Sequence, residues 1–363
     1  MSAKVLHLIA TLGSGGAERQ VSLLLPNMKN MGLDFNLCFH TEGPNLASLH
    51  SCGIEMQRLP NRANHDPRLL LDIAKVVREI QPDIIQTWLP QMDVLGGLVA
   101  QWMGIAHVLS ERSSAAMYAP GGWKNRLRVA IGRRAQAVIA NSEGGLAYWR
   151  AHGARGHLHV VRNALTPPSQ EPAPLSSLGL EGQRLLVAAG RLSHEKNVPV
   201  LVKAMEAALA RLPNHHAVIF GDGPERESTQ ALIVGTGLSG RIHLGGYTAQ
   251  LSGWLRAADV FVSASLVEGH PNVVIEAAAA GCPLVLSDIP AHREFAVDGS
   301  GLFAPASDPR RLADAMVLCV TDRTAALARA GQARRLTETL AVAAAAQRHI
   351  DIYRSLLNER TQS

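Results

Sequence analysis

The chain has 363 residues, 47% of them hydrophobic and 18% charged. That excludes a disordered or fibrous protein and exceeds what a single hydrophobic core usually serves. The net charge of +5 is mild, and no apolar run reaches the roughly 18 residues of a membrane-spanning helix. The apolar run at 5–10 leads into glycines and then Glu18-Arg19, without a cleavage site, so no signal peptide is expected. Cys38, Cys52, Cys282 and Cys319 lie far apart with no CxxC. The expectation is a cytoplasmic protein with reduced thiols, and neither a zinc site nor a disulfide framework.

Taken in chain order, residues 4–10 read as a strand, and 17–31 as a helix after a glycine turn. Further strands are expected at 34–39, 54–59 and 83–87, with a helix at 67–80 between the last two, then strands at 108–110 and 137–140. Alternation of this kind predicts parallel β-α-β units. Thr166-Pro167-Pro168 then opens a segment to Gly182 that also holds Pro172 and Pro174. Proline lacks a backbone donor and fixes φ, so this segment suits a linker. A second series follows: strands at 184–189, 217–221, 241–244, 260–264 and 283–287, with a helix at 198–212. From 309 onward the chain reads as helix, ending in an amphipathic stretch at 341–357. Two similar α/β domains joined by a proline-rich hinge are predicted, with ligands at the carboxyl ends of the strands, facing a cleft.

Charge is unevenly placed. Between Arg112 and Arg162 the only acid is Glu143, against nine bases. Within this stretch Trp123, Leu127, Ala130 and Ile131 fall at i, i+4, i+7 and i+8, flanked by Lys124, Arg126, Arg128 and Arg133. Two readings fit: an interfacial helix that meets anionic lipid, or a helix whose stripe packs on its own sheet.

The sharpest local anomaly is Glu276, in Pro271-Asn272-Val273-Val274-Ile275-Glu276-Ala277-Ala278-Ala279-Ala280-Gly281. This helix is apolar on nearly every side and therefore buried. Asn272 and Glu276 share one face at i,i+4. A buried carboxylate needs a partner, either a structural donor or a ligand with paired hydroxyls such as a ribose. Glu268 stands in the preceding strand-to-helix turn, where free N–H groups and the helix dipole suit anionic or hydroxylated ligands. Alone it reads as a solvated acid; with Glu276 it makes Glu-x7-Glu.

At these residues the sequence resembles the retaining glycosyltransferases of family 4, with the GT-B fold. The resemblance rests on Gly190-Arg191-Leu192-Ser193-His194-Glu195-Lys196-Asn197, Gly221-Asp222-Gly223-Pro224-Glu225, Leu244-Gly245-Gly246-Tyr247, Glu268-Gly269-His270-Pro271-Asn272 with Glu276, and the glycine loop Gly13-Ser14-Gly15-Gly16-Ala17-Glu18. It implies two Rossmann-like domains facing a central cleft. Residues 1–165 would bind acceptor and 166–183 form the hinge. Residues 184–345 would bind the nucleotide sugar, and 346–363 form a helix crossing back to the first domain.

The resemblance also implies roles. Arg191 and Lys196 would hold the donor diphosphate, Glu268 the transferred sugar and Glu276 the ribose, with Asn272 beside it. Gly15 and Gly16 would bring backbone N–H groups to the phosphates, while Gly221 and Tyr247 would frame the base. Arg191, Lys196 and Glu268 are the implied catalytic group. The donor is a UDP- or GDP-sugar, carrying a hexose or N-acetylhexosamine. The acceptor is a hydroxyl of a lipid-linked glycan (polyprenyl-diphosphate-linked, for example) or of a lipopolysaccharide or polysaccharide glycan. An anionic inner-leaflet surface would be a further partner, reached by a cytoplasmic, peripheral enzyme; nucleic acid is not expected. No Asp-x-Asp pair occurs, so neither metal nor cofactor is expected. Two departures from the family pattern stand out. Its first-domain Thr-x-His histidine is replaced by Leu109-Ser110-Glu111-Arg112-Ser113, which leaves Glu111, Arg112 and the second-domain His270 as sugar or acceptor candidates. Its Asn-Gly near the hinge reads Asn163-Ala164. A nucleotide-sugar epimerase or a non-catalytic binding module on the same fold are the alternatives.

Overall fold

The computed structural model describes residues 4–13, 15–60, 62–63, 66–113, 118, 122–169 and 171–362, without the side chains of 177 and 360–362. The chain forms two compact units: Met1–Thr166 with Leu340–Ser363, and Pro167–Thr339.

The first unit is built on a seven-stranded sheet. Its strands are β1 (Lys4–Thr11), β2 (Asp34–Thr41), β3 (Met56–Arg58), β4 (Ile84–Trp88), β5 (Ala106–Glu111), β6 (Ala137–Ala140) and β7 (His157–Val160). They are ordered β3-β2-β1-β4-β5-β6-β7, and every pairing is parallel. Central strands of such a sheet are covered on both faces, which is why β1 and β4 are near-continuous apolar runs. One face packs Val5, Leu24, Leu25 and Trp88; the other packs Leu6, Leu8, Ile73 and Val99.

The second unit repeats the plan with β8 (Arg184–Ala189), β9 (His215–Phe220), β10 (Ile242–Gly246), β11 (Val260–Ser263), β12 (Leu284–Ser287) and β13 (Leu302–Ala304). The order is β10-β9-β8-β11-β12-β13, again parallel throughout. In each sheet the order reverses beside the first strand, between β1 and β4 and between β8 and β11. In doubly wound sheets this is where strand ends diverge and ligands enter.

Helix boundaries follow local signals. Pro90, Pro290 and Pro309 each open a helix, where a missing N–H costs nothing. Ser142 accepts from Gly145 N, and Asp308 from Arg310 N and Arg311 N, as N-caps. The helical tail breaks into Pro309–Thr321, Arg323–Thr337 and Val342–Gln362. The last belongs to the first unit, where Ala346, Ile350, Tyr353 and Leu356 join the core of Val5 and Leu25. Leu165 N donates to Leu340 O at 2.8 Å beside the crossing, which comes at Leu340 rather than at 346.

The proline-rich segment differs from a free linker. Ala173 N donates to Gly253 O at 2.9 Å and Arg256 Nε to Ser169 O at 3.0 Å. Ala173 and Leu180 are buried against Trp254. Its prolines limit the backbone while its few apolar residues fasten it to the second unit. Among the described residues no helix is long and apolar enough to cross a membrane.

Candidate active site

The richest cluster lies where the second sheet reverses order. After β8, Gly190 and Arg191 lead to the 3-10 turn His194–Lys196 and then Asn197, at φ 55°. Asparagine tolerates this left-handed conformation better than most residues. The Asn197 amide donates to Ala264 O at 3.1 Å and Ala306 O at 2.8 Å, tying the loop after β8 to those after β11 and β13. Leu266 N donates to Glu195 O at 2.9 Å. These bonds hold Lys196 opposite Glu268, and Lys196 Nζ meets Glu268 Oε1 at 2.5 Å across the reversal point. Ser265 Oγ donates to the same oxygen at 2.7 Å. Neither bond uses Glu268 Oε2.

Glycines bring the strand ends close together. Gly221 has φ +123°, and a Cβ there would fall 1.9 Å from Gly190 O. Only glycine lets the loops after β8 and β9 touch in this way. Arg191 is exposed beside them. Tyr247, past the end of β10, is exposed as well.

Glu276 lies on the helix Asn272–Ala279, buried among Val274, Ile275 and Ala277. It and Asn272 both hold interactions within the protein, as a carboxylate at that depth requires. His270 is buried at the helix start, with Nδ1 3.4 Å from Asn272 Oδ1.

Behind Glu268 runs a set of polar groups that no motif or spacing in the chain singles out. Ser263 Oγ lies 3.2 Å from Ser265 Oγ and 3.5 Å from His292 Nε2. His292 Nδ1 lies 2.8 Å from Ser287 O. His292 is fully buried, and burial lowers its pKa; the Ser287 carbonyl and Glu268 pull it back up, and Lys196 pushes it down. These residues come from separate strands and a helix, so no spacing rule connects them.

In the first unit the glycine loop follows β1, with Gly15 as N-cap of the helix Gly16–Asn30; Ser14 lies outside the described residues. A Cβ on Gly15 would fall 2.4 Å from Glu18 Oε2, so a side chain there would displace the Glu18 carboxylate. Glu18 is buried, and burial raises its pKa. Opposite, after β4, Leu89 has φ 73°. That is a strained value for leucine, of the kind that persists where surroundings enforce it.

Two expectations need correcting here. Glu111 is not presented to a sugar. Its Oε1 accepts from Ser113 N at 2.9 Å and Tyr118 Oη at 2.6 Å, and its Oε2 accepts from Trp149 Nε1 at 2.9 Å. Arg128 Nη1 is 3.0 Å from that second oxygen, so the carboxylate is saturated. Arg128 is not on a surface patch: it is 2% exposed, with Nε 2.7 Å from Asp93 Oδ2. A guanidinium holding two buried carboxylates cannot face lipid. Burial pushes the Asp93 carboxyl up to about 6, against the pull of Arg128.

Arg112 is turned inward too. Its Nη1 donates to Asn163 Oδ1 at 3.1 Å, its guanidinium lies 4.6 Å over the Trp88 ring, and His349 Nε2 is 3.4 Å from Nη2. On the helix Trp123–Gly132, Ile131 is buried, while Trp123 (69% exposed), Leu127, Lys124 and Arg126 face outward. Arg133 is half-buried at the helix end.

Comparison with known proteins agrees with this architecture. Residues 14–167 match Glycosyltransferase Family 4, and residues 183–322 match Glycosyl transferases group 1. The lipopolysaccharide core biosynthesis mannosyltransferase LpsB of Rhizobium meliloti is 29% identical over 255 residues, covering 68% of this chain and 72% of that protein. The putative glycosyltransferase EpsF of Bacillus subtilis is 26% identical over 308 residues, 78% of this chain and 79% of its own. Anabaena HepE, solved in complex with UDP and glucose, superposes with a TM-score of 0.87 at 20% identity, covering 97% of this chain and 100% of its own. With one glycosyltransferase family matched in each half and a GT-B enzyme fold across both sheets, the chain belongs to the family 4, group 1 glycosyltransferases.

Proposed function

We propose that this glycosyltransferase moves a hexose or N-acetylhexosamine from a UDP- or GDP-sugar to a hydroxyl of a lipid-linked or lipopolysaccharide glycan, with retention and without a metal. The carrying observation is the Lys196–Glu268 pair at the order reversal of the second sheet, beside exposed Arg191 and backed by the Glu276 helix. Lys196 has three N–H donors and gives one to Glu268, so two are available to a diphosphate. Glu268 Oε2 is available to a sugar hydroxyl. Glu276 and Asn272 take the ribose, Gly221 and Tyr247 the base, and Gly15 and Gly16 the phosphate side. The UDP and UDP-glucose in the HepE structures and the lipopolysaccharide role of LpsB support the choice of substrates.

In the reaction the anomeric C1–O bond to the diphosphate breaks as the acceptor oxygen bonds C1 on the same face. The acceptor proton passes to a departing phosphate oxygen. Arg191 and Lys196 neutralise charge that grows on that leaving group, where electrostatic help is largest. Two fixed cations there supply what a divalent ion would otherwise supply. The outward face of the helix Trp123–Gly132 is the element proposed to meet an anionic membrane surface, through Lys124, Arg126, Trp123 and Leu127. The test is hydrolysis or transfer with UDP-glucose and GDP-mannose, each with and without excess EDTA. Activity that persists in EDTA is expected; activity lost there and restored by Mn²⁺ or Mg²⁺ would overturn the cationic clamp.

A further inference from the structure

We propose that His292 is a positioning residue for the donor sugar, holding the Glu268 carboxylate in place through Ser263, Ser265 and Ser287. This rests on the reading of Glu268 as the sugar-binding carboxylate.

The argument is a count of hydrogens. Ser287 O only accepts, so His292 Nδ1, 2.8 Å away, carries a hydrogen. The ring is fully buried and burial lowers its pKa, so it is neutral and Nε2 is a bare acceptor. Ser263 Oγ, 3.5 Å from Nε2 and 3.2 Å from Ser265 Oγ, has one hydrogen and shares it between these two acceptors. Ser265 has one hydroxyl hydrogen and directs it at Glu268 Oε1, which leaves its lone pairs toward Ser263.

A second route reaches the same serine. Ser287 Oγ donates to Ser265 O at 2.6 Å and lies 3.2 Å from His292 Nδ1. One edge of the imidazole thus anchors the backbone of Ser265 through Ser287, and the other touches its side chain through Ser263. Ser265 begins the turn that carries Glu268. A carboxylate that must meet sugar hydroxyls gains from such second-layer support, because displacement of about 1 Å can cost 10²-fold.

The experiment measures dissociation constants of the full-length enzyme for UDP against UDP-glucose and for GDP against GDP-mannose, by calorimetry. Ser265→Ala should weaken the nucleotide sugar by about tenfold, one lost hydrogen bond, and leave the bare nucleotide unchanged. Glu268→Gln, which also releases Lys196 toward the diphosphate, should weaken the nucleotide sugar relative to the bare nucleotide by at least as much. His292→Asn keeps a donor toward Ser287 O and removes the Nε2 edge. It should weaken the nucleotide sugar in the same selective way, and less than additively with Ser265→Ala. His292→Gln, which returns a polar atom near Nε2, should recover most of the loss. Should His292→Asn melt early, Ser263→Ala cuts the same edge from a half-buried site and carries the same expectation. Parental nucleotide-sugar binding in both His292→Asn and Ser263→Ala, with Glu268→Gln impaired, overturns the inference alone. A Glu268→Gln enzyme with parental selectivity, or no binding of either pair, overturns the donor reading beneath it.

Discussion

Arg191 and Glu276 sit in opposite environments, one exposed and one buried, and their substitutions should separate accordingly. Glu276 is proposed to grip the ribose equally in ground and transition states, so Glu276→Gln should mainly raise the donor KM. Arg191 faces charge that builds as the diphosphate leaves, so Arg191→Ala should lower kcat by about 10²-fold with an unchanged melting temperature. Lys196→Ala has a second consequence, because it removes the ion-pair partner of Glu268; both kcat and KM should worsen. The Arg191→Ala and Lys196→Ala effects should combine less than additively, since both cations serve one leaving group. Steady-state kinetics of the four variants decides this, and a parental kcat in Arg191→Ala would place the leaving group elsewhere.

The helix Trp123–Gly132 shows what an element's own sequence can and cannot reveal. Its period places Trp123 and Leu127 together, and both face outward with Lys124 and Arg126. The same period gives Arg128 no special status, because its partners Asp93 and Glu111 lie 35 and 17 residues earlier in the chain. Removing Arg128 would leave two buried carboxylates without their cation, so Arg128→Ala should cost about 3–5 kcal/mol in urea unfolding. Lys124→Glu with Arg126→Glu should instead leave stability near parental and weaken binding to phosphatidylserine vesicles more than tenfold, at about 1 kcal/mol per base. Binding that survives the reversal would return this face to ordinary solvated surface. Other elements divide along the same line. The central strands β1, β4, β8 and β11 were legible because two covered faces demand apolar runs. Half-exposed β7 and the three-residue β13 carry little such demand and were not foreseen. Glu276 stood out because a carboxylate in apolar surroundings is costly, and Glu268 through its spacing from Glu276, whereas Ser263, Ser265 and His292 are unremarkable until the fold gathers them.

At the scale of the whole molecule, the first unit is completed only when the chain returns as Val342–Gln362. That return closes a polar core. Tyr353 Oη donates to Gln86 Oε1, His349 stacks on Trp88, and Trp88 Nε1 donates to His7 Nδ1 at 3.2 Å. Burial, with the repulsion between the two rings adding to it for His7, lowers His7 to about 3; burial, with Arg112 adding, lowers His349 to about 3. Burial alone lowers His107 to about 4. All three depart downward from an unfolded value near 6.5. Their stabilising contribution is therefore complete above pH 6.5 and drains away as the pH falls toward 4 and then 3, because the unfolded chain takes up protons that the folded one refuses. Asp93 works in the other sense. Raised to about 6, it accepts a proton in the folded state before it would when unfolded, offsetting one of the three between pH 6 and about 4. The expected result is an unfolding free energy that drops on acidification from pH 7, well before ordinary carboxylates titrate. For these four groups the slope should rise from a little over one proton at pH 6.5, where the unfolded rings are only half protonated, to about two by pH 5, at about 1.4 kcal/mol per proton per pH unit. Urea unfolding at pH 7.5, 6 and 5, followed by the near-ultraviolet signal of buried Trp88 and Trp149, measures it. A flat profile across that range would mean that the three rings are not held neutral in the fold, and that the terminal helix does not seal His7 and His349 from water.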